Sequence, residues 1–419
     1  MRVTHSRTTT FLKTLAWLSL LAAFVIGQLA SQPNHKAMLS HYMGDLELER
    51  ADYQNEKPIV FKLVKQQPGD ADVVVLGEGE GYGGLMMVGI FAHRTDTGPR
   101  IQKLALLSNT ETPPYIERLK KKHFFNQFND KLITDDFLID SDIDGYSGAT
   151  ISARGITSAV RQAVHLGAVN HLKMPSVWQE EQWQFGAKEA GLLLLVALVV
   201  FANQYQSKLS RKLKVIIPFL SLAYVGIYTN ASISFGSLSS ILLGYFPSPK
   251  HHPIWWIMML SVFGGIVFLR RNLYCNNLCP FSTVQGVLHK ISGIRLNLTP
   301  QVTRHARSII LMLIWMSLML IFLSRHPALG SYEPFSMMFA LEGMGMQWYI
   351  LPFSLLGALF VPDFWCRLFC PVGFTLNELV RLRSKAVNIF KRLISSKTQF
   401  IPIADITGND VRQKQRRSK

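Results

Sequence analysis

The chain alternates between two kinds of segment. Residues 191–202, 254–269, 309–323 and 348–361 are apolar on every side and almost free of charge, whereas residues 32–174 mix polar and apolar positions at short period. A helix apolar all round suits lipid, which takes about 20 residues to cross ~30 Å of hydrocarbon. With their flanks, these runs predict an N-terminal crossing at 14–30 and five more at 185–203, 215–230, 254–269, 308–323 and 347–364. Several fall short of full length and must borrow polar or interfacial flanks. The mixed region predicts strands at 72–76, 85–91 and 101–107 and a helix over 150–166. The expected fold class is thus an α+β extracytoplasmic domain joined to a polytopic all-α membrane bundle of about six transmembrane helices.

Charge orients this arrangement. Lys208, Arg211, Lys212 and Lys214, then Arg270 and Arg271, then Arg367, Arg381 and Arg383 collect in alternate connections, while 232–253 carries only Lys250 and 324–348 only Arg325. Cytoplasmic loops of membrane proteins hold the Lys and Arg excess, and aromatic rings prefer the interface, where Trp255, Trp256, Trp348 and Tyr349 begin their crossings. Both patterns place the soluble domain outside, in the periplasm of a bacterial inner membrane. Arg2, Arg7 and Lys13 precede the first apolar run, which reads as a signal anchor or a cleaved secretory signal. Its length and the lack of a small-x-small cleavage site favour the anchor. The expected organisation is a cytoplasmic N-terminus 1–13, an anchor 14–30, an extracytoplasmic domain 31–175, a membrane domain 176–384 with five helices, and a basic cytoplasmic tail 385–419. The net charge of +17 across 419 residues follows from topology and contact with membrane lipid. No zinc finger, basic zipper or aromatic stacking motif accompanies it, so no nucleic-acid partner is expected.

Within the soluble domain, Asp144-Gly145-Tyr146-Ser147-Gly148-Ala149-Thr150 leads directly into the helical stretch. A helix start offers free N–H groups and a positive dipole end to a phosphate, and Gly148 and Ala149 allow close backbone approach. Alone, such a turn is usually just a cap. The segment resembles the Asp-x-x-Ser/Thr-Gly-Ala-Thr motif of FMN-binding domains in NqrC- and RnfG-type subunits and in the NosR/NirI family. Gly81-Tyr82-Gly83-Gly84, Glu111-Thr112-Pro113 and Phe124-Phe125-Asn126-Gln127-Phe128 match other pieces of those domains in the same order. The resemblance implies FMN joined to Thr150 by a phosphoester, with Asp144, Ser147, Gly148, Ala149, Tyr82, Glu111 and Thr112 around it. It also implies a separate flavin transferase acting outside. Thr150 is then a tether and not a nucleophile, with the redox chemistry belonging to the flavin.

All four cysteines fall into two matched units, Cys275-Asn-Asn-Leu-Cys279-Pro280 and Cys366-Arg-Leu-Phe-Cys370-Pro371, each preceded by an aromatic residue, Tyr274 or Trp365. The topology puts both at the cytoplasmic membrane surface, where structural disulfides are disfavoured. Four thiolates are the usual complement of one iron–sulfur cluster, and Cys-Pro is common in such loops. Another metal, thiol redox chemistry or simple packing remain open on spacing alone. The repeat resembles paired C-x3-C-P motifs in the membrane region of NosR/NirI proteins. No cysteine follows Cys370, so the chain is expected to lack that family's C-terminal ferredoxin region, which puts a link to nitrous oxide reductase in doubt.

His251 and His252 read as surface residues, and His289 and His305 as solvated. Glu333 and Glu342 lie in an outer loop expected to fold back into the bundle near the flavin domain. The functional expectation is electron transfer across the membrane: from a cytoplasmic or quinol donor, through a cysteine-ligated centre and covalent FMN, to an extracytoplasmic acceptor. Donor and acceptor stay unnamed. The alternative is a redox-sensing regulatory or maturation protein, and a flavoenzyme acting on a small substrate ranks last.

Overall fold

The computed structural model describes residues 2–30, 35–43, 48–50, 59–63, 71–81, 83–111, 113–146, 149–172, 185–340 and 346–397. The first helix, α1 (Arg2–Ala30), is continuous through the expected anchor. It packs on a later helix through Phe24 and Phe322, edge to face at 5.4 Å, and Trp315 Nε1 donates to Ser19 Oγ at 3.1 Å.

The soluble domain follows α2 (His35–Met43). Its sheet is an antiparallel meander of β1 (Leu48–Arg50), β2 (Ile59–Leu63), β3 (Val73–Glu80), β4 (Leu85–Thr95) and β5 (Gly98–Asn109), paired in chain order. The three predicted strands are present and longer than expected; β1 and β2 were not foreseen. Alternation along β3 and β4 sends Val75, Val88 and Ile90 to one face and Val74, Leu76 and Phe91 to the other, as a pleated strand requires. The larger face is covered by α3 (Pro113–Lys121), the short helical turn Phe124–Phe128 and α4 (Thr150–Leu172). The helix predicted over 150–166 is α4. Phe124 and Phe128 are fully buried here, so this part of the phenylalanine cluster is core.

α4 crosses β3 at backbone contact. A side chain on Gly155 would strike the Glu80 carbonyl, and one on Gly79 the Gly155 carbonyl, so glycine at both positions sets the separation between helix and sheet.

The remaining chain is helical: α5 (Ala187–Gln204), α6 (Lys208–Ser221), α7 (Phe235–Leu242), α8 (Pro253–Gly264), α9 (Pro280–Ser292), α10 (Pro300–Ser324), α11 (Phe335–Ala340), α12 (Gln347–Phe360), α13 (Phe364–Leu368) and α14 (Pro371–Lys397). Wide helical turns extend α6 through Leu222–Tyr228 and α8 through Gly265–Leu269. Among the described residues, three helices are long and apolar enough to cross a membrane: 10–30 within α1, α5 and α10. The extended α8 and α12 are apolar but shorter. The 14 residues of α12 rise about 21 Å, below the ~30 Å of hydrocarbon. By length and composition, three of the about six expected crossings are met, and the shorter apolar helices are among the runs expected to need polar flanks.

Candidate functional site

At the start of α4, the Thr150 hydroxyl donates to the Tyr146 carbonyl at 3.1 Å, and Ala149 accepts at its carbonyl from Ala153 N–H at 2.9 Å. The approach to the helix is pinned by Asp144, whose N–H donates to Gln127 Oε1 at 2.7 Å while Gln127 Nε2 donates back at 3.4 Å. Tyr146 reaches the Lys122 carbonyl at 3.2 Å and packs on Phe124. Glu111 is fully buried and accepts from Gly83 N–H at 3.0 Å. Gly81 packs against the same carboxylate, and Met86 fills the space between Gly81 and Gly155. The structure thus brings Glu111, the glycine turn and the first turns of α4 to one end of the sheet. Tyr82, Thr112, Ser147 and Gly148 lie outside the described residues.

Beside this end runs a cleft of about 470 Å³, lined by Ile151, Arg154 and Ser158 of α4, by β3, and by His251 and His252. Arg154, one turn beyond Thr150, was missed in the sequence; its i+4 spacing from a phosphate tether was the available signal. The glycines that a Cβ would block, the helix start and this cation fit a flavin phosphate.

The cysteine units fold alike. In the first, the Cys279 N–H closes a wide turn onto the Tyr274 carbonyl at 2.8 Å; in the second, the Cys370 N–H closes onto Trp365 at 2.9 Å. Each second cysteine then precedes a helix opened by proline, α9 or α14. Gly373 N–H donates to Cys370 Sγ at 3.3 Å, and the Phe281 and Ser282 N–H groups face Cys279 in the same way. Helix starts favour negative sulfur.

Gln285, fully buried in α9, joins the units by donating to Cys366 Sγ at 3.2 Å and accepting from Trp365 N–H at 2.8 Å. Cys275 and Cys370 both border Gly373, and each of the four thiols lies within electrostatic reach of others in the set. All four are free.

Among the described residues no three His, Cys, Asp or Glu side chains are close enough to share one metal ion. Four sulfurs on a single zinc would stand about 3.8 Å apart, from a Zn–S distance of ~2.3 Å. Four free thiols from two matched units, with N–H donors directed at Cys279, Cys366 and Cys370, fit a multi-iron cluster.

Cys279 and Cys370 are buried in one core with Phe235, Trp255 and Tyr274. The 327–340 segment packs against them, since Tyr332 hydroxyl donates to the Phe369 carbonyl at 2.8 Å and Phe335 packs on Phe281. Glu333, foreseen in a returning loop, is buried and accepts from the Phe235 N–H that opens α7. The loop meets the cysteine units, while Glu342 lies outside the described residues. His252 is likewise buried instead of at the surface, with its Nε2 3.1 Å from the Glu80 carbonyl.

Comparison with known families agrees with both sites. An FMN-binding domain matches residues 81–165, and a 4Fe-4S binding domain matches residues 251–299 and 349–389. The regulatory protein NosR of Pseudomonas aeruginosa is 24% identical over 218 residues, covering 48% of this chain and 30% of its own. The protein NirI of Paracoccus denitrificans is 25% identical over 211 residues, 46% of this chain and 31% of its own. The chain thus spans about a third of the length of these curated relatives. The 4Fe-4S match corrects the expectation that a ferredoxin-type region is missing. It falls on the C-x3-C-P units themselves, because four converging thiolates can serve a cluster without a separate C-terminal module. The chain therefore joins an FMN-binding domain to an apolar, helical 4Fe-4S binding domain.

Proposed function

We propose that the chain transfers electrons across the bacterial inner membrane. A cytoplasmic or quinol donor feeds a cluster held by Cys275, Cys279, Cys366 and Cys370, and electrons leave through FMN on Thr150 to an extracytoplasmic acceptor, supporting a periplasmic reductase. When bound, the two groups supply one-electron capacity inside the bundle and one- or two-electron capacity outside. The protein's own part is to hold thiolates at helix starts, keep water from the cluster ring, and anchor the flavin phosphate near Thr150 and Arg154. The observation that carries this reading is the convergence of both cysteine units in one core, with matched turns and N–H donors at sulfur.

In this reading the domain lies in the periplasm, 14–30 is the anchor, 176–384 the membrane domain and 385–419 a basic cytoplasmic tail near lipid. A flavin transferase outside the membrane attaches the FMN. Electron transfer in a denitrification system is the nearest setting, given the NosR and NirI relatives. A redox-sensing role is the second reading, supported by the relative described as regulatory.

The test is iron, acid-labile sulfide and paramagnetic resonance on anaerobically purified protein. A Cys275→Ser/Cys366→Ser variant is expected to lose the cluster but keep flavin, and Thr150→Val to lose flavin that survives denaturation. Iron-free native protein sinks the cluster assignment. Sustained donor-dependent flavin turnover in vesicles supports transfer, and a single stoichiometric reduction supports sensing.

A further inference from the structure

The flavin domain is fixed against the membrane domain at two places. At the β3–β4 turn, the Glu80 carboxylate accepts from Ser248 N–H at 2.6 Å, and the Tyr245 hydroxyl donates to the Gly81 carbonyl at 3.4 Å. His252 Nε2 lies 3.1 Å from the Glu80 carbonyl in the same cluster. On α3, the Tyr115 hydroxyl accepts from Asn230 Nδ2 at 3.4 Å. Both anchors adjoin the candidate flavin site: Gly81 rests on Glu111, and Tyr115 stands three residues beyond Thr112.

The connection that makes these contacts also reaches the cysteines. Three residues past Asn230, Ile233 N–H donates to the Tyr274 hydroxyl at 2.8 Å. Tyr274 is buried, directly precedes Cys275, and accepts at its carbonyl from Cys279 N–H. The bland account of the Tyr274 hydroxyl is satisfaction of a buried N–H, which any core requires. That account does not explain why one connection grips the flavin domain at both of its ends and between them touches the tyrosine that precedes Cys275. The ~30 Å between membrane faces is too long for a direct electron step, and this connection supplies hydrogen-bonded contacts toward both sites.

Building on the electron-transfer reading above, we propose that residues 230–252 are the electron bridge between the cysteine-held centre and the flavin domain. Tyr274 is its inner contact, and Glu80 with the Asn230–Tyr115 pair is its outer anchor. Each electron that crosses oxidises the cysteine-held centre by one unit and reduces the flavin by one. The flavin takes its proton from the aqueous side, and the cytoplasmic or quinol donor re-reduces the inner centre. Asn230 and Glu80 are positioning residues, touching neither reacting atoms nor substrate, while the Tyr274 side chain also hydrogen-bonds Cys279.

The test uses the full-length protein carrying both cofactors. One electron is injected by flash photoreduction, and its redistribution is followed by flavin absorbance and freeze-quench paramagnetic resonance. Tyr274→Leu is expected to slow equilibration at least tenfold while iron and flavin content stay unchanged. Tyr274→Phe keeps the ring and loses the hydroxyl contact, and is expected to fall between. Docking has its own readout: a short bismaleimide should link Glu80→Cys to Ser248→Cys in high yield, with or without flavin. An unaltered rate in both Tyr274→Leu and Asn230→Ala, with both centres intact, overturns the bridge. Failure to cross-link overturns the docking and the bridge with it. A native protein whose two loaded centres never exchange an electron instead sinks the electron-transfer reading, leaving docking to stand on the cross-link alone.

Discussion

Replacing Gln285 by leucine removes one hydrogen bond to Cys366, a ligand in the proposed cluster, and leaves the volume nearly unchanged. Gln285 is fully buried, and its Nε2 donates to Cys366 Sγ at 3.2 Å. A hydrogen bond to a charged group is worth about 1.5–3 kcal/mol. The reduced centre carries one more negative charge, so it gains from the upper end of that range while the oxidised centre gains from the lower. The difference, about 1.4 kcal/mol, corresponds to roughly 60 mV for one electron. Gln285→Leu should therefore lower the midpoint potential by up to about 60 mV. The lost acceptor for Trp365 N–H should also cost about 1–3 kcal/mol of stability. Gln285→Glu keeps that acceptor but adds negative charge, so its potential should fall further. The assay is potentiometric titration followed by paramagnetic resonance in anaerobic detergent solution. A fully loaded Gln285→Leu protein whose potential matches the native one would refute the placement of this side chain against a cluster ligand.

Two further outcomes follow from the packing. Gly155→Val drives a side chain into the Glu80 carbonyl where α4 meets β3. It should destabilise the flavin domain by about 3 kcal/mol, the upper end for overpacking, and a thermal midpoint equal to native would contradict the close approach. Acidification should loosen the docked domain. Burial holds His252 down to about 4, against the Glu80 carbonyl bond that favours protonation, with His251 and Arg154 pushing the same way as burial. The facing Glu80 carboxylate is committed to Ser248 N–H. Once released, His252 returns toward ~6.5, so the undocked form binds the extra proton and docking weakens by about 1.4 kcal/mol per pH unit from 6.5 down to 4. Hydrogen exchange at residues 245–252, corrected for intrinsic rate, should rise across that window in native protein and not in His252→Asn.

Much of the chemistry was legible because it depends on local spacing. A C-x3-C-P unit carries its own wide turn and helix start, so two units announce four thiolates at helix ends before any packing is known. The Thr150 motif likewise carries its own helix start. Strand alternation along β3 and β4 was readable for the same reason, since side-chain direction flips at every residue whatever the neighbours do. Gln285 and Arg154 escaped notice because a lone glutamine or arginine on a helix has no local signature, and their importance comes from partners 81 residues away or from a cleft two elements build.

The sequence by itself determined that this protein has a mixed polar domain, apolar helices, a phosphate-suited helix start and two equivalent thiol pairs, because short-range periodicity, charge and backbone geometry dictate each. Only the tertiary structure decided that the pairs meet in a buried core, that α7 and α11 pack among the longer helices, and that the flavin domain rests on residues 230–252. Those outcomes depend on which surfaces lose least by being buried together, a comparison among distant segments that no local pattern contains.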